Sequence, residues 1–137
     1  MPMTTKGGKP RQSELPSTLR RSSAKAQRTF VAAHDAALEQ YGSEQRARRV
    51  AYAAVKHSFE KVGDHWEAKK RKGPSDKRAE RGGLHNPIPS AEGVDANASK
   101  QHLLGVARRL DIRGRSTMRK SELVDAIRKE NRRVRGR

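Results

Sequence analysis

Basic side chains are concentrated toward the end of the chain, in a stretch with few acidic residues to neutralise them. Arginine forms paired hydrogen bonds with phosphate oxygens and with base edges, so this stretch is suited to binding nucleic acid. A shorter basic run lies near the middle of the chain, and it can be either a solvated charge run or a phosphate-binding patch. The candidate contacts are Lys69, Lys70, Arg71, Lys72, Arg108, Arg109, Arg113, Gly114, Arg115, Arg119, Lys120, Arg128, Arg132, Arg133, Arg135 and Arg137.

The tripeptide Arg-Gly-Arg occurs twice, at 113–115 and at 135–137. Glycine lets the backbone approach the floor of a narrow groove while both arginines spread along it, and the minor groove of A·T-rich DNA is narrow and strongly negative. The copy at 113–115 is similar to the Arg-Gly-Arg motifs of AT-hook proteins and actinobacterial xenogeneic silencers, without the prolines that flank an AT-hook. Two interpretations stay open, namely minor-groove reading and plain phosphate binding by the same residues.

The charge of the whole chain supports a polyanionic partner. The 137 residues carry a formal net charge of +17, and a field of that size concentrates polyanions around the protein. The charge is unevenly distributed, because residues 31–68 are nearly neutral whereas residues 101–137 hold 12 basic and 4 acidic side chains. We therefore expect a neutral core region surrounded by basic segments.

Residues for catalysis or metal binding are sparse. The chain has no cysteine, and His57, Asp64 and His65 do not follow a recognised metal-ligand spacing. Neither a phosphate-cradling glycine motif nor a nucleophile elbow is visible. We expect no enzymatic activity, no cofactor and no metal. Because no apolar run approaches the length of a membrane span, we expect no membrane span and a cytoplasmic protein.

Apolar residues at helical spacing predict a central helix that reaches from Ala47 to Trp66. A preceding helix is predicted to end at Gly42, with Ser43 as the N-cap of the central helix. The predicted class is therefore all-α. The apolar stripe of the central helix consists of Ala47, Val50, Ala51, Ala54, Val55, Ser58, Phe59, Val62 and Trp66.

Composition divides the chain into two helical units with basic segments around them. Glycine and proline interrupt any helix after the basic run, which predicts a flexible linker. A second pair of short helices is predicted beyond it, with Ser99 and either Ser116 or Thr117 as caps. The predicted segments are a disordered basic arm (1–13), a helical domain (14–68), a basic linker (69–98), a helix-loop-helix module (99–130) and a basic tail (131–137).

The first unit resembles the ChaB family in Glu14-Leu15-Pro16, in Ala24-Lys25-Ala26-Gln27, in Tyr41, in the run Val50 to Lys56, and in Trp66. The resemblance implies a small helical domain with a minor two-stranded element. The family takes its name from a proposed regulator of cation antiport, and the resemblance thus implies a protein partner for this unit. The chain departs from the shorter family members in its basic arm and in everything after Ala68.

A recognisable pattern runs through the second unit, and its positions are Leu104, Ala107, Leu110, Ile112, Met118, Lys120, Leu123 and Ile127. With this pattern the unit resembles the N-terminal helical domain of transcription terminator Rho and, more broadly, SAP-type helix-extended-loop-helix modules. Such modules are commonly attached to nucleic-acid-binding proteins, so the resemblance implies nucleic-acid binding here.

Charge, linker and second module together predict a nucleic-acid-binding protein, with DNA favoured over RNA. The DNA-binding form would be nucleoid-associated or regulatory. RNA binding is the first alternative, although the second unit has no aromatic residue for stacking unpaired bases. A partner-binding regulator that uses the first unit is the second alternative.

Overall fold

The computed structural model describes residue 3 and residues 10–76 and 90–135. Most of the described chain is helical, but a two-stranded antiparallel sheet lies in its middle, so the all-α prediction is incomplete. Short 3-10 turns lie at Gln12–Glu14 and Arg115–Thr117. The main elements are α1 (Ser17–Arg20), α2 (Ala24–Tyr41), α3 (Glu44–Ser58), β1 (Phe59–Val62), β2 (His65–Ala68), α4 (Lys100–Arg109) and α5 (Lys120–Arg135).

Helices α2 and α3 form the predicted antiparallel pair. Gly42 ends α2 at a φ of 66°, and its N–H donates to the Leu38 carbonyl oxygen over 2.8 Å. Ser43 caps α3 by accepting a hydrogen bond from the Arg46 N–H. Both predictions are confirmed. The buried core of this half consists of Leu15, Leu19, Ala26, Phe30, Val31, Ala51, Val55, Phe59 and Trp66, together with Met3.

The prediction that α3 extends to Trp66 is wrong, because the helix ends at Ser58 and the chain turns back as a β-hairpin. Gly63 and Asp64 form the turn, where Gly63 has the positive φ that the first residue of a tight hairpin turn favours. Phe59 and Trp66 are buried as predicted, but they are buried on one face of the β-hairpin and not on a helical stripe. Val50, also assigned to the stripe, is 38% exposed on α3.

The hairpin has two different faces. Phe59, Lys61 and Trp66 lie on the face toward α2 and α3, and the Lys61 ammonium group lies 6.0 Å from the Trp66 ring centre. Glu60, Val62 and Glu67 lie on the opposite face, where Val62 joins the core of α4 and α5. The period of two in a strand thus divides neighbouring residues between two cores.

Helices α4 and α5 pack around the second core, which contains Val62, Ala91, Val94, Leu103, Val106, Ala107, Leu123 and Ile127. Ser99 caps α4 by accepting from the His102 N–H over 3.1 Å, as predicted. Ser116 and Thr117 are not caps, since they lie in the 3-10 turn before α5. Instead the Glu122 carboxylate accepts from the Arg119 N–H over 3.0 Å at the start of α5.

Both described ends of the predicted linker are packed. The Ser75 hydroxyl donates to the Lys56 carbonyl oxygen, and the Asp76 carboxylate accepts from the Ala91 N–H over 2.8 Å. Gly93 lies so close to Trp66 that a Cβ there would stand 2.5 Å from the indole ring. The described ends of the linker, at 69–76 and 90–98, are therefore fixed to the folded part of the chain by these contacts.

Several predicted segments fall outside the described residues. These are residues 77–89 of the linker, most of the basic arm, and residues 136 and 137 of the second Arg-Gly-Arg. Only the backbone of Arg135 is described. The boundaries of the predicted units stay predictions.

Candidate nucleic-acid interface

A cleft of about 690 Å³ opens between the segment that follows β2, the segment that precedes α4, and the start of α5. We call it the basic cleft and define its cations as Lys70, Arg71, Lys72 and Lys120. All four side chains are exposed, and within the described ranges none has an acidic partner. Two predicted groups of basic residues, far apart in sequence, therefore meet at one site.

The acidic groups that line the basic cleft are engaged with other partners. Glu60 has a mostly buried carboxylate, and both its oxygens lie within 2.9 Å of His102 Nε2. Asp95 lies 3.9 Å from the Lys69 ammonium group. Because these two carboxylates contact His102 and Lys69, they do not form ion pairs with the four cations of the basic cleft.

Lys69, the first residue of the basic run, has a buried side chain that fixes the run to the fold. Its side chain is 2% exposed, and its ammonium group donates to the Lys56 carbonyl, the Gly73 carbonyl and the Ser75 hydroxyl over 2.7 to 3.0 Å. Burial lowers the pKa of Lys69, and the charges of Asp95, Glu60 and Asp76 oppose that shift. The Gly73 N–H also donates to the His57 carbonyl, so both ends of the run are fixed. We leave Lys69 out of the interface because its charge is buried.

Most predicted arginines of α4 and α5, and Arg119 directly before α5, are paired with carboxylates inside the chain. Arg109 donates to Glu67 over 2.8 Å, and this contact is the main reason that the pKa of Glu67 falls to about 2. The remaining pairs are Arg119 with Glu122, Arg128 with Asp125, Arg132 with Glu92, and Arg133 with Glu130. A phosphate would have to compete with these carboxylates, so these arginines are weaker candidates than the cleft cations.

The loop at 113–115 presents its two arginines differently. Gly114 has a φ of 75°, and Arg115 folds back so that its guanidinium donates to the Ile112 carbonyl over 3.0 Å. Arg113 is exposed and, like Arg108, has no partner among the described residues. One guanidinium of the motif is thus available for a groove contact, and the second is held at the backbone.

The histidine and carboxylate groups near the hairpin turn lie within hydrogen-bond distance of one another. His65 lies 3.1 Å from an Asp64 oxygen and 2.7 Å from a Glu67 oxygen. Within residues 10–76 and 90–135, no group of three or more such side chains is placed to hold a metal ion. None of the described helices combines the length and the apolar character that crossing a membrane requires.

Sequence reasoning missed the acidic partners and the polar lining of the basic cleft. Glu60, Glu67 and His102 hold the two halves together, and Asn97 and Ser99 line the cleft. The i, i+3 spacing of Phe59 and Val62 suits a helix, so the local sequence carries no strand signal that would have exposed the role of Glu60. The convergence of Lys120 with Lys70 has no local signal, because it depends on long-range packing.

The fold and the site together define a small, mainly helical protein in which a β-hairpin joins a helical pair to a helix-loop-helix module. Residues 15–69 match the ChaB family model, and residues 101–133 match the model of the Rho termination factor, N-terminal domain. Both resemblances predicted from sequence are confirmed in the predicted order. No curated protein and no solved structure matches the chain.

Proposed function

We propose that the chain binds nucleic acid through the basic cleft, contacting backbone phosphates with Lys70, Arg71, Lys72 and Lys120. The observation that carries the proposal is the convergence of these unpaired cations from two distant segments. The match of residues 101–133 to the Rho termination factor N-terminal domain supports nucleic acid as the partner. The net charge of +17 supports it independently.

Duplex DNA is the form of nucleic acid that we favour. The described lining of the cleft includes no phenylalanine, tyrosine or tryptophan on which an unpaired base could stack. Sequence-specific recognition of single-stranded RNA depends on such stacking, whereas backbone contacts suit a duplex. We further propose that Arg113 supplies a groove contact, that the protein has no enzymatic role, and that it acts in the cytoplasm at the nucleoid.

Fluorescence anisotropy across a salt series tests the cleft. With about 4 phosphate contacts, the slope of log K against log salt should be roughly −3.6. Replacing Lys70, Arg71 and Lys72 by Gln should weaken duplex binding about 100-fold at about 0.15 M salt and flatten the slope by about 3. The matched control is the triple variant Lys25→Gln, Arg28→Gln and Arg49→Gln, which removes the same charge from exposed positions on α2 and α3.

Equal losses in the two triple variants would mean that net charge alone attracts DNA, and would exclude the cleft as the site.

Competition among A·T-rich duplex, G·C-rich duplex and structured RNA then decides the class of nucleic acid. Replacing Arg113 and Arg115 by Ala should abolish any A·T preference if the loop reads the minor groove. An unchanged preference would remove the groove contact and leave phosphate binding.

The match to the ChaB model favours a second candidate, a partner-binding regulator of cation transport that uses α2 and α3. Tyr41 and Val50 are the large apolar side chains that these helices leave exposed, and the Arg46 guanidinium lies 4.4 Å from the Tyr41 ring centre. These two side chains are the apolar contacts on α2 and α3 that we propose for a protein partner. A wild-type chain with no duplex or RNA affinity at about 0.15 M salt would remove the nucleic-acid proposal in favour of this one.

A further inference from the structure

One histidine, His102, belongs to the described lining of the basic cleft. It lies in the first turn of α4, and its side chain is 24% exposed. Lysine and arginine side chains keep their charge at neutral pH, whereas the charge of an imidazole changes between about pH 5 and 8. A histidine placed among such cations can therefore make the charge of the cleft depend on pH.

The contact of His102 with Glu60 determines which of its ring nitrogens is free. Both carboxylate oxygens of Glu60 lie within 2.9 Å of His102 Nε2. An ionised carboxylate only accepts hydrogen bonds, so Nε2 carries the proton of this contact. His102 Nδ1 has no hydrogen-bond partner among the described residues. A second proton therefore binds at Nδ1, and it changes that nitrogen from an acceptor to a donor.

The protonation of His102 also changes the charge balance of the cleft. A neutral His102 leaves the negative charge of Glu60 beside the cations, whereas a protonated His102 balances that charge. Lys69 and Asp95 are already paired with each other over 3.9 Å. Protonation thus raises the net positive charge of the cleft by one. The charged groups that line the cleft with His102 are Glu60 of β1, Lys69 to Lys72 after β2, Asp95 before α4 and Lys120 of α5.

We infer that His102 is a further phosphate-binding residue of the basic cleft, and that its protonation at Nδ1 strengthens the binding of duplex DNA. The inference rests on the proposed function, since it assigns a regulation to the same cleft. An imidazolium N–H forms a charge-assisted hydrogen bond with a phosphate oxygen, whereas the lone pair of a neutral imidazole repels that oxygen. Duplex affinity should therefore rise as the pH falls through the range in which histidine takes up a proton.

Fluorescence anisotropy of the full chain with a short DNA duplex, at about pH 8 and about pH 5.5, tests the inference. The wild type should bind about tenfold more tightly at the lower pH, and the slope of log K against log salt should become more negative by about 0.9, because one phosphate contact is added.

His102→Gln should lose most of this gain, because an amide can still donate to Glu60 but cannot take up a proton. His65→Gln is the matched control and should keep the gain. His65 also contacts carboxylates, those of Asp64 and Glu67, but it does not line the cleft.

NMR of the wild type supplies a test that needs no variant and therefore holds even if His102→Gln fails to fold. Binding is reciprocal, so a duplex that prefers the protonated ring must in turn favour protonation of His102. The pH midpoint of the His102 ring signals should move upward when the duplex is added, and that of His65 should move less.

Three results would overturn the inference and leave the proposed function intact, provided that the triple Gln variant of Lys70, Arg71 and Lys72 loses duplex affinity. They are equal duplex affinity of the wild type at both pH values, a full gain in folded His102→Gln, and a His102 midpoint that the duplex leaves unmoved. A wild type without duplex affinity at either pH would overturn the proposed function and this inference together.

Discussion

The two faces of the β-hairpin are held by different interactions. The face toward α2 and α3 packs Phe59 and Trp66 into an apolar core, whereas the opposite face contributes one apolar residue, Val62, next to the cross-strand pair of carboxylates Glu60 and Glu67. Those carboxylates, Glu60 and Glu67, meet His102 and Arg109 of α4. The first contact should therefore resist salt and acid, and the second should respond to both.

The largest expected effect comes from the apolar face. Trp66→Ala should lower the free energy of unfolding by about 3–5 kcal/mol, because it leaves a cavity against Tyr52 and Gly93. Urea denaturation measures this loss. Tyr41→Ala is the control, since Tyr41 is an aromatic residue that is 44% exposed. A loss below about 1 kcal/mol for Trp66→Ala would mean that the apolar face does not hold the hairpin.

An intermediate effect is expected at the contact between the hairpin turn and α5. Asn131→Ala removes two buried hydrogen bonds and leaves the Gly63 N–H without its acceptor, which should cost about 1–3 kcal/mol. The backbone amide of Gly63 should also exchange its hydrogen faster in the Asn131→Ala variant than in the wild type. Gln101→Ala, an exposed substitution on α4, should change neither quantity. If Gly63 exchange is unaltered by Asn131→Ala, the second half does not clamp the turn.

The smallest effect is expected for the ion pair of Glu67 with Arg109. Arg109 holds the pKa of Glu67 at about 2, below its ordinary value of 4.5, so the pair stabilises the fold above pH 4.5 and loses that contribution as the pH falls toward 2. Both side chains are partly exposed, and the contribution should stay below about 1 kcal/mol.

A comparison of wild type with Glu67→Gln across this pH range measures that contribution. The difference in unfolding free energy should be present at neutral pH and disappear in acid. Glu39→Gln, at an exposed position on α2, serves as the control. A difference that persists unchanged in acid would show that Glu67 acts through packing and not through its charge.

Local signals predicted the parts of the fold that local interactions determine. Gly42, Ser43 and Ser99 each end or begin a helix as expected, because a cap depends on a few neighbouring residues. The hairpin was mistaken for helix because Phe59, Val62 and Trp66 are spaced like a helical stripe, although the strands divide them between two cores. Helical and strand periods cannot be distinguished over so short an apolar pattern.

The sequence predicts which basic residues could form the candidate site, but it does not predict which of them lie together in the fold. The basic run and the arginines of the second half were evident, but a sequence does not reveal which cations already have partners. Arg109 and Glu67 are separated by 42 residues, as are His102 and Glu60. Their pairing, and the meeting of Lys120 with Lys70, result from docking of α4 and α5 on the hairpin.

The central claim is that cations from both halves form one phosphate-binding cleft, and NMR titration of the full chain with a short duplex tests it most directly. The backbone signals of Lys70, Arg71, Lys72 and Lys120 should shift together and follow one binding curve. The signals around the paired residues Arg128 and Arg133 should shift less. Shifts confined to α5 and the 113–115 loop, with Lys70 to Lys72 unaffected, would contradict the claim.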